Sequence, residues 1–170
     1  MPTSAGAHWR NYCRDGVKIK WANNSGVTYN YPARWQGGKY EAATRGAIAN
    51  INERVSGDWG IWRGGAASGI QYGSSTYGSA VARGFTRTTW NDNCALLTAD
   101  VRFNESRVSG YSHAALKAIA VHETGHAYGV GHATTCDPDT MMVKTWKCLW
   151  VQHRIHTMQP HDERDVRRTY

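Results

Sequence analysis

The stretch HETGHAYGVGH, residues 122–132, constrains this 170-residue chain more than any other feature. His122 and His126 are four residues apart, so on a helix both imidazoles lie on one face and can converge on a single metal ion. Glu123 adjoins His122 and can reach a water molecule held by that ion. The spacing therefore predicts a helix that carries two metal ligands and one general base.

A third ligand requires the chain to leave the helix, because another ring on the same face would crowd the first two. Gly129 stands where a helix can end in the left-handed conformation that glycine adopts without steric cost. His132 follows three residues later and can approach the ion from the side. Three imidazoles leave a fourth position for water, which is typical of a catalytic zinc ion. Two alternatives remain. The histidines can be helix residues that form hydrogen bonds and bind no metal, or they can hold a structural zinc ion, in which case Glu123 has no catalytic role.

The rest of the chain predicts a mixture of strands and helices. The metal-ligand helix should span 112–129, with Ser112 as its N-cap. Two short strands are expected in 17–32 around the turn signal NNSG, a first helix over 38–57, and strands near 60–63 and 70–72. A further strand is expected in 80–90. The segment 96–106 alternates like a half-buried strand, with these side chains directed inward: Leu97, Ala99, Val101 and Phe103. This order predicts an α/β or α+β sheet domain.

Composition narrows the classes of protein that this chain can belong to. Its length fits one domain, and 41% hydrophobic against 19% charged residues is a globular composition. No apolar run approaches the roughly 20 residues that a membrane-spanning helix needs. The net charge of +7 comes from lysines and arginines spread along the chain rather than gathered in a stripe. We therefore expect a basic, solvated surface and no nucleic-acid partner. We also expect a monomer.

Four cysteines, at positions 13, 94, 136 and 148, form no CxxC pair. An even number in a small domain predicts disulfides and a secreted, extracellular protein. A short loop closure favours Cys136 with Cys148, which leaves Cys13 with Cys94; the alternative is four free thiols. In a further alternative, Cys13 occupies the open metal position and holds the protein latent.

HETGHAYGVGH resembles the HExxHxxGxxH zinc-binding consensus of the metzincin clan of metallopeptidases. That resemblance implies an α+β fold with an α/β-type N-terminal part: a twisted, mostly parallel sheet with an antiparallel edge strand, an active-site helix, a methionine turn and a C-terminal helix. It implies one catalytic domain over 1–170, with an upper subdomain of about 1–131 and a lower one of about 132–170.

Other segments resemble the matrixin-like branch of that clan. ADVRFN resembles its inner strand, and QPHDERDVRRTY resembles its closing helix. By analogy with the methionine turn, Met142 lies beneath the metal, with Met141 as second choice and two ordinary core methionines as the alternative. The gap from His132 to the methionines is longer than in typical members and contains Cys136. The propeptide switch motif and a glycine-rich calcium loop in 64–80 are not recognisable, so calcium is not assigned.

The resemblance implies a secreted zinc endopeptidase that acts on protein or peptide substrates, with one Zn²⁺ and Glu123 as general base. The substrate would lie extended along an edge strand at 80–86, whose first six residues are Ala80, Val81, Ala82, Arg83, Gly84 and Phe85. The segment 143–151 would line the pocket for the residue after the cut. An apolar side chain is expected in that pocket, because Trp146, Leu149 and Trp150 are nearby. The alternative is a zinc-containing envelope-binding or toxin-like module, for which the charge of +7 would assist docking.

Overall fold

The computed structural model describes residues 20–22, 26–55 and 59–170. In chain order the elements are β1 (Lys20–Trp21), β2 (Gly26–Asn30), α1 (Lys39–Arg54), β3 (Gly60–Arg63), β4 (Ile70–Ser75), β5 (Gly84–Trp90), β6 (Ala95–Asn104), α2 (Glu105–Val108), α3 (His113–Ala127) and α4 (Pro160–Arg167). A 3₁₀ turn at Ala33–Trp35 precedes α1, and a short π-helical segment, Lys147–Gln152, precedes α4. The order of elements agrees with the one expected from the sequence.

The sheet is mostly parallel, as predicted. Its strands follow the order β1-β6-β4-β2-β3, and every pair along that path is parallel. Strand β5 pairs antiparallel with β6, from Gly84 opposite Phe103 to Trp90 opposite Leu96. Among the described residues no strand pairs with the other edge of β5, so its outer backbone groups are open to an added strand.

The predicted substrate strand at 80–86 is correct only from Gly84 onward, because residues 80–83 form a turn. The reason is a set of side chains that bind backbone carbonyls of this segment and of the two residues before it. The Asn104 amide donates to the carbonyls of Gly78 at 2.8 Å and Ala82 at 3.1 Å. The Arg107 guanidinium donates to the carbonyl of Ser79 at 2.9 Å. These carbonyls are therefore not available for a strand ladder.

The prediction that Leu97 is directed inward is also wrong. The alternation of its segment places it on the buried face, but 53% of its surface is exposed. Strand β5 pairs Thr89 with Thr98 and then Trp90 with Leu96, so one residue of β6 is skipped. Such a bulge turns the extra side chain out of the regular alternation. Ala99, Val101 and Phe103 beyond the bulge are buried as predicted.

Helix α1 packs against α3, and α3 also contacts β5 and β6. The buried face of α1 carries Ala43, Thr44, Ala47, Ile48 and Ile51. In α3 the N-cap is Ser112, as expected, and its side chain accepts from the N–H of Ala115 at 3.3 Å. No helix in the described ranges is both long and apolar enough to span a membrane. The division into subdomains at 131/132 stays a prediction.

The disulfide between Cys136 and Cys148 is confirmed, with Cα atoms 5.6 Å apart. Cys94 is also disulfide-bonded, so the free-thiol alternative is wrong for the three described cysteines. The predicted partner of Cys94 is Cys13, which lies outside the described residues, and so does its alternative role at the metal position.

Candidate metal centre

Helix α3 ends by a specific hydrogen-bond pattern that redirects the chain. Gly129 has a φ of +83°, the left-handed conformation expected of it. Its N–H donates to the carbonyl of His126 at 2.9 Å, and the N–H of Val130 donates to the carbonyl of Gly125 at 3.1 Å. These two bonds make a Schellman motif, which closes the last turn and sends the chain back across the helix end. His132 comes from this returning segment.

The three predicted histidines converge. The Nε2 atom of His132 lies 3.2 Å from Nε2 of His122 and 3.1 Å from Nε2 of His126. The three ligand atoms all lie within 4.8 Å of one another. His122 is buried, whereas His126 and His132 are partly exposed to the cleft. This group can hold a metal ion, and its exposed side leaves room for a further ligand.

Two of the rings are held in the protonation state that a metal ligand needs. Nδ1 of His122 donates to the carbonyl of Met141 at 2.8 Å, and Nδ1 of His126 donates to the carbonyl of Val130 at 2.8 Å. A carbonyl only accepts, so each Nδ1 carries the proton and each Nε2 presents its lone pair. Burial lowers the pKa of His122 to about 4 and that of His126 to about 3. Both imidazoles are therefore neutral at pH 7, and the donor set fits a metal ion.

Glu123 lies beside the histidines and is held by the edge strand. The Thr86 hydroxyl donates toward its carboxylate Oε2 at 2.9 Å and toward its backbone carbonyl at 2.8 Å. A Cβ on Gly84 would lie 3.0 Å from the Glu123 carboxylate, so the absence of a side chain there leaves space for it. Burial raises the pKa of Glu123 to about 8, and the bond from Thr86 opposes that rise. Sequence reasoning included Thr86 only in the expected edge strand and missed its contact with Glu123, because that contact joins residues 37 positions apart.

The methionine turn packs beneath α3. Met141 and Met142 are both fully buried. The sulfur of Met142 is the nearest atom to the point where Gly125 would carry a Cβ, at 2.4 Å, and Gly125 lies between His122 and His126 on the helix. Met142, the first choice from the sequence, thus lies against the part of the helix that carries His122 and His126.

A carboxylate from α4 holds this turn in place. Asp162 is fully buried and accepts from the N–H of Met141 at 2.8 Å, from the N–H of Gln159 at 3.0 Å and from the Thr140 hydroxyl. Burial raises the pKa of Asp162 to about 6, which leaves it ionised at neutral pH. In the sequence Asp162 was only one of an acidic pair near the end of the chain, with no signal that it reaches the turn.

A cavity of about 390 Å³ opens beside the three histidines. The edge strand and its preceding turn form one wall, from Ala82 to Thr86, whereas Ala80 and Val81 do not reach it. The segment 143–146 and Leu149 form the opposite wall. Trp150 was expected near this cavity but does not line it. It lines a separate surface depression beside Tyr111 instead. A second cavity of about 590 Å³ continues past the histidines along β5 as far as Trp90.

Comparison with protein-family models gives no match for this chain, and comparison with curated proteins gives none either. The family is therefore not shown by sequence similarity. Any statement about function rests on the geometry of the three histidines, Glu123 and the edge strand.

Proposed function

We propose that this chain is a zinc-dependent endopeptidase of the metzincin clan, close to its matrixin-like branch, and that it is secreted. The observation that carries the proposal is the meeting of three imidazole Nε2 atoms with Glu123 in one cavity, beside a strand edge that no described strand pairs with. The disulfide between Cys136 and Cys148 agrees with an oxidising, extracellular location.

Zinc is the metal that this donor set favours. His122, His126 and His132 would hold it, since three neutral imidazoles with an open position are a common ligand set of catalytic zinc sites. When bound, zinc supplies Lewis-acid chemistry, which polarises a carbonyl group and makes water more acidic. The hydrogen bonds from Nδ1 of His122 and His126 to backbone carbonyls keep their rings oriented for binding.

Glu123 provides the proton transfers in the proposed reaction. The nearby charge of a bound zinc ion would lower the pKa of Glu123 from the raised value of the metal-free site and leave the group ionised. Its carboxylate would then take a proton from the attacking water and later deliver it to the leaving amine. Thr86 restricts the orientation of that carboxylate through its hydrogen bond. The cavity lining is largely apolar, so a bound peptide that covers it would strengthen the electrostatic interactions inside.

Strand β5 supports the binding of an extended peptide. Its outer edge, to which no strand of the described part of the chain is paired, can pair with a substrate backbone in the manner of an added strand. The two cavities lie on either side of the histidines along this strand, so a peptide can continue in both directions from the cleaved bond. A cleft open at both ends suits an endopeptidase better than an enzyme that trims termini.

The test separates metal binding from turnover in one variant. Glu123→Ala should retain about one zinc ion per chain, because all three histidines remain, but lose cleavage of casein. Glu163→Ala, which removes a partly exposed glutamate of α4, is the matched control and should behave as wild type. Activity of the wild type should disappear with a chelator and return with zinc.

Full turnover by Glu123→Ala would contradict the role of general base. Stoichiometric zinc without cleavage of casein or of any library peptide by the wild type would instead favour a zinc-containing envelope-binding or toxin-like module.

A further inference from the structure

The walls of the two cavities beside the histidines carry more positive than negative charge. Among the described residues that line them, the charged side chains are Arg83, Lys144 and Glu123. Glu123 is buried and belongs to the proposed reaction, whereas the two cations come from two different segments of the lining, the turn before β5 and the segment after Met142. A substrate that enters this cleft therefore meets two positive groups and no competing surface carboxylate.

Lys144 has a defined position next to the ligand-bearing segment. The N–H of Ala133 donates to the carbonyl of Met142 at 2.7 Å, and Ala133 also forms an isolated parallel bridge with Val143. This contact fixes the backbone just before Lys144 against the residue that follows His132. As a result, Lys144 lines both cavities at the point where they meet.

Among the described residues, no anion neutralises the Lys144 ammonium. The side chain is exposed, and no described residue forms an ion pair or a hydrogen bond with it. Arg83, by contrast, is held in place: its Nε donates to the Tyr111 hydroxyl at 2.6 Å, and its guanidinium lies over the Trp146 ring. Arg83 thus contributes a fixed positive field, and Lys144 is the cation that can move to a ligand.

We propose that the cleft selects peptides with an aspartate or glutamate side chain close to the scissile bond, and that Lys144 is the specificity-determining residue that pairs with this carboxylate. The inference rests on the proposed function, whose site it extends. A peptide laid along β5 would cover the ammonium and reduce its exposure to water, which strengthens a charge-assisted hydrogen bond. The net charge of +7 would also favour the approach of acidic chains.

The experiment compares peptides that differ only by Glu, Gln or Lys at one position within three residues of the cleaved bond. For the wild type, kcat/KM should be about tenfold higher for the best Glu peptide than for its Gln counterpart, a ratio expected for a hydrogen bond between charged groups. Lys144→Met should bring the ratio close to one, and Lys144→Glu should favour the Lys peptide. Lys147→Glu is the matched control, because Lys147 is exposed and lines neither cavity.

A second readout does not depend on turnover. The affinities of the same peptides are measured by fluorescence anisotropy on Glu123→Ala and on Glu123→Ala combined with Lys144→Met. An acidic preference that is lost only with Lys144→Met supports the inference, even if no peptide is cleaved and the proposed function fails. An equal loss in Lys147→Glu would assign the preference to overall charge and overturn the inference. Cleavage without any acidic preference would overturn it and leave the proposed function intact.

Discussion

Gly125 is the point of α3 where a single methyl group should have a large effect. A Cβ built there would lie 2.4 Å from the sulfur of Met142 and 2.8 Å from Cε of Met141. Real Cβ atoms do not approach other heavy atoms to less than 3.0 Å, so either the methionines or the helix must move. Both methionines are fully buried, and Asp162 binds the backbone of their turn, so the turn has little freedom to yield.

The sign of the Gly125→Ala effect follows from two opposing contributions. Alanine is favoured over glycine in a helix interior by about 1 kcal/mol. Insertion of an extra carbon into a well-packed core costs about 1–3 kcal/mol. A contact of 2.4 Å lies in the unfavourable part of that range, because it forces displacement of a buried side chain. We therefore expect Gly125→Ala to lower the free energy of unfolding by about 1–2 kcal/mol.

Gly46→Ala is the matched control, since Gly46 lies within α1. A Cβ at this position would lie 3.6 Å from Cδ of Lys117 and 3.8 Å from its Cε, which are ordinary van der Waals distances. This variant should raise the free energy of unfolding by about 0.5–1 kcal/mol through helix propensity and loss of backbone entropy in the unfolded chain. Both variants are compared with wild type by urea denaturation in the presence of a chelator. If Gly125→Ala is stabilised as Gly46→Ala is, the packing of the methionine turn against α3 is wrong.

Two further predictions concern Glu123. Thr86→Val keeps the shape of the side chain but removes the donor to the carboxylate, so kcat should fall about tenfold at unchanged KM and zinc content. Thr86→Ser keeps the donor and should retain activity. A wild-type kcat in Thr86→Val would refute the positioning role of Thr86. In metal-free protein, the raised pKa of Glu123 means that the folded state keeps its proton between pH 4.5 and about 8 while the unfolded state releases it. Wild type should thus lose stability relative to Glu123→Gln as the pH rises through that window, by at most about 5 kcal/mol at about 1.4 kcal/mol per unit. Urea denaturation across this pH range checks it, and a difference that grows with pH in favour of wild type would contradict the burial of Glu123.

The parts of the site that could be predicted from sequence are those set by local spacing. His122 and His126 share a helix face by periodicity, Ser112 caps that helix, and Gly129 ends it in a left-handed conformation. His132 follows the Schellman turn by only a few residues, so the turn restricts the positions that its ring can occupy. Each of these features depends on residues within a few positions of one another, so no knowledge of the remaining chain is required.

The errors arose where distant residues decide local structure. Residues 80–83 have a strand-like composition, but Asn104 and Arg107 bind their carbonyls from more than 20 positions away. Leu97 fits the alternation of its segment, yet a bulge set by pairing with β5 exposes it. Trp150 is close in sequence to Leu149, but the π-helical segment directs it to another surface. For residues 80–83 and Leu97 a tertiary contact overrides a local preference, whereas for Trp150 the cause is the irregular helical geometry of its own segment.

Long-range contacts also explain why the end of the chain matters to the candidate metal centre. Met141 connects α4 to His122 through two backbone hydrogen bonds. Its N–H donates to Asp162 of α4, and its carbonyl accepts from Nδ1 of His122. The carboxylate of Asp162 thereby fixes the peptide unit that leads into Met141, and Met141 in turn fixes the tautomer and orientation of a ligand. Helix α4 carries no ligand, yet it determines the orientation of one through a single intervening residue. The ligands alone do not define this site, because the closing helix is part of what holds His122 ready for a metal.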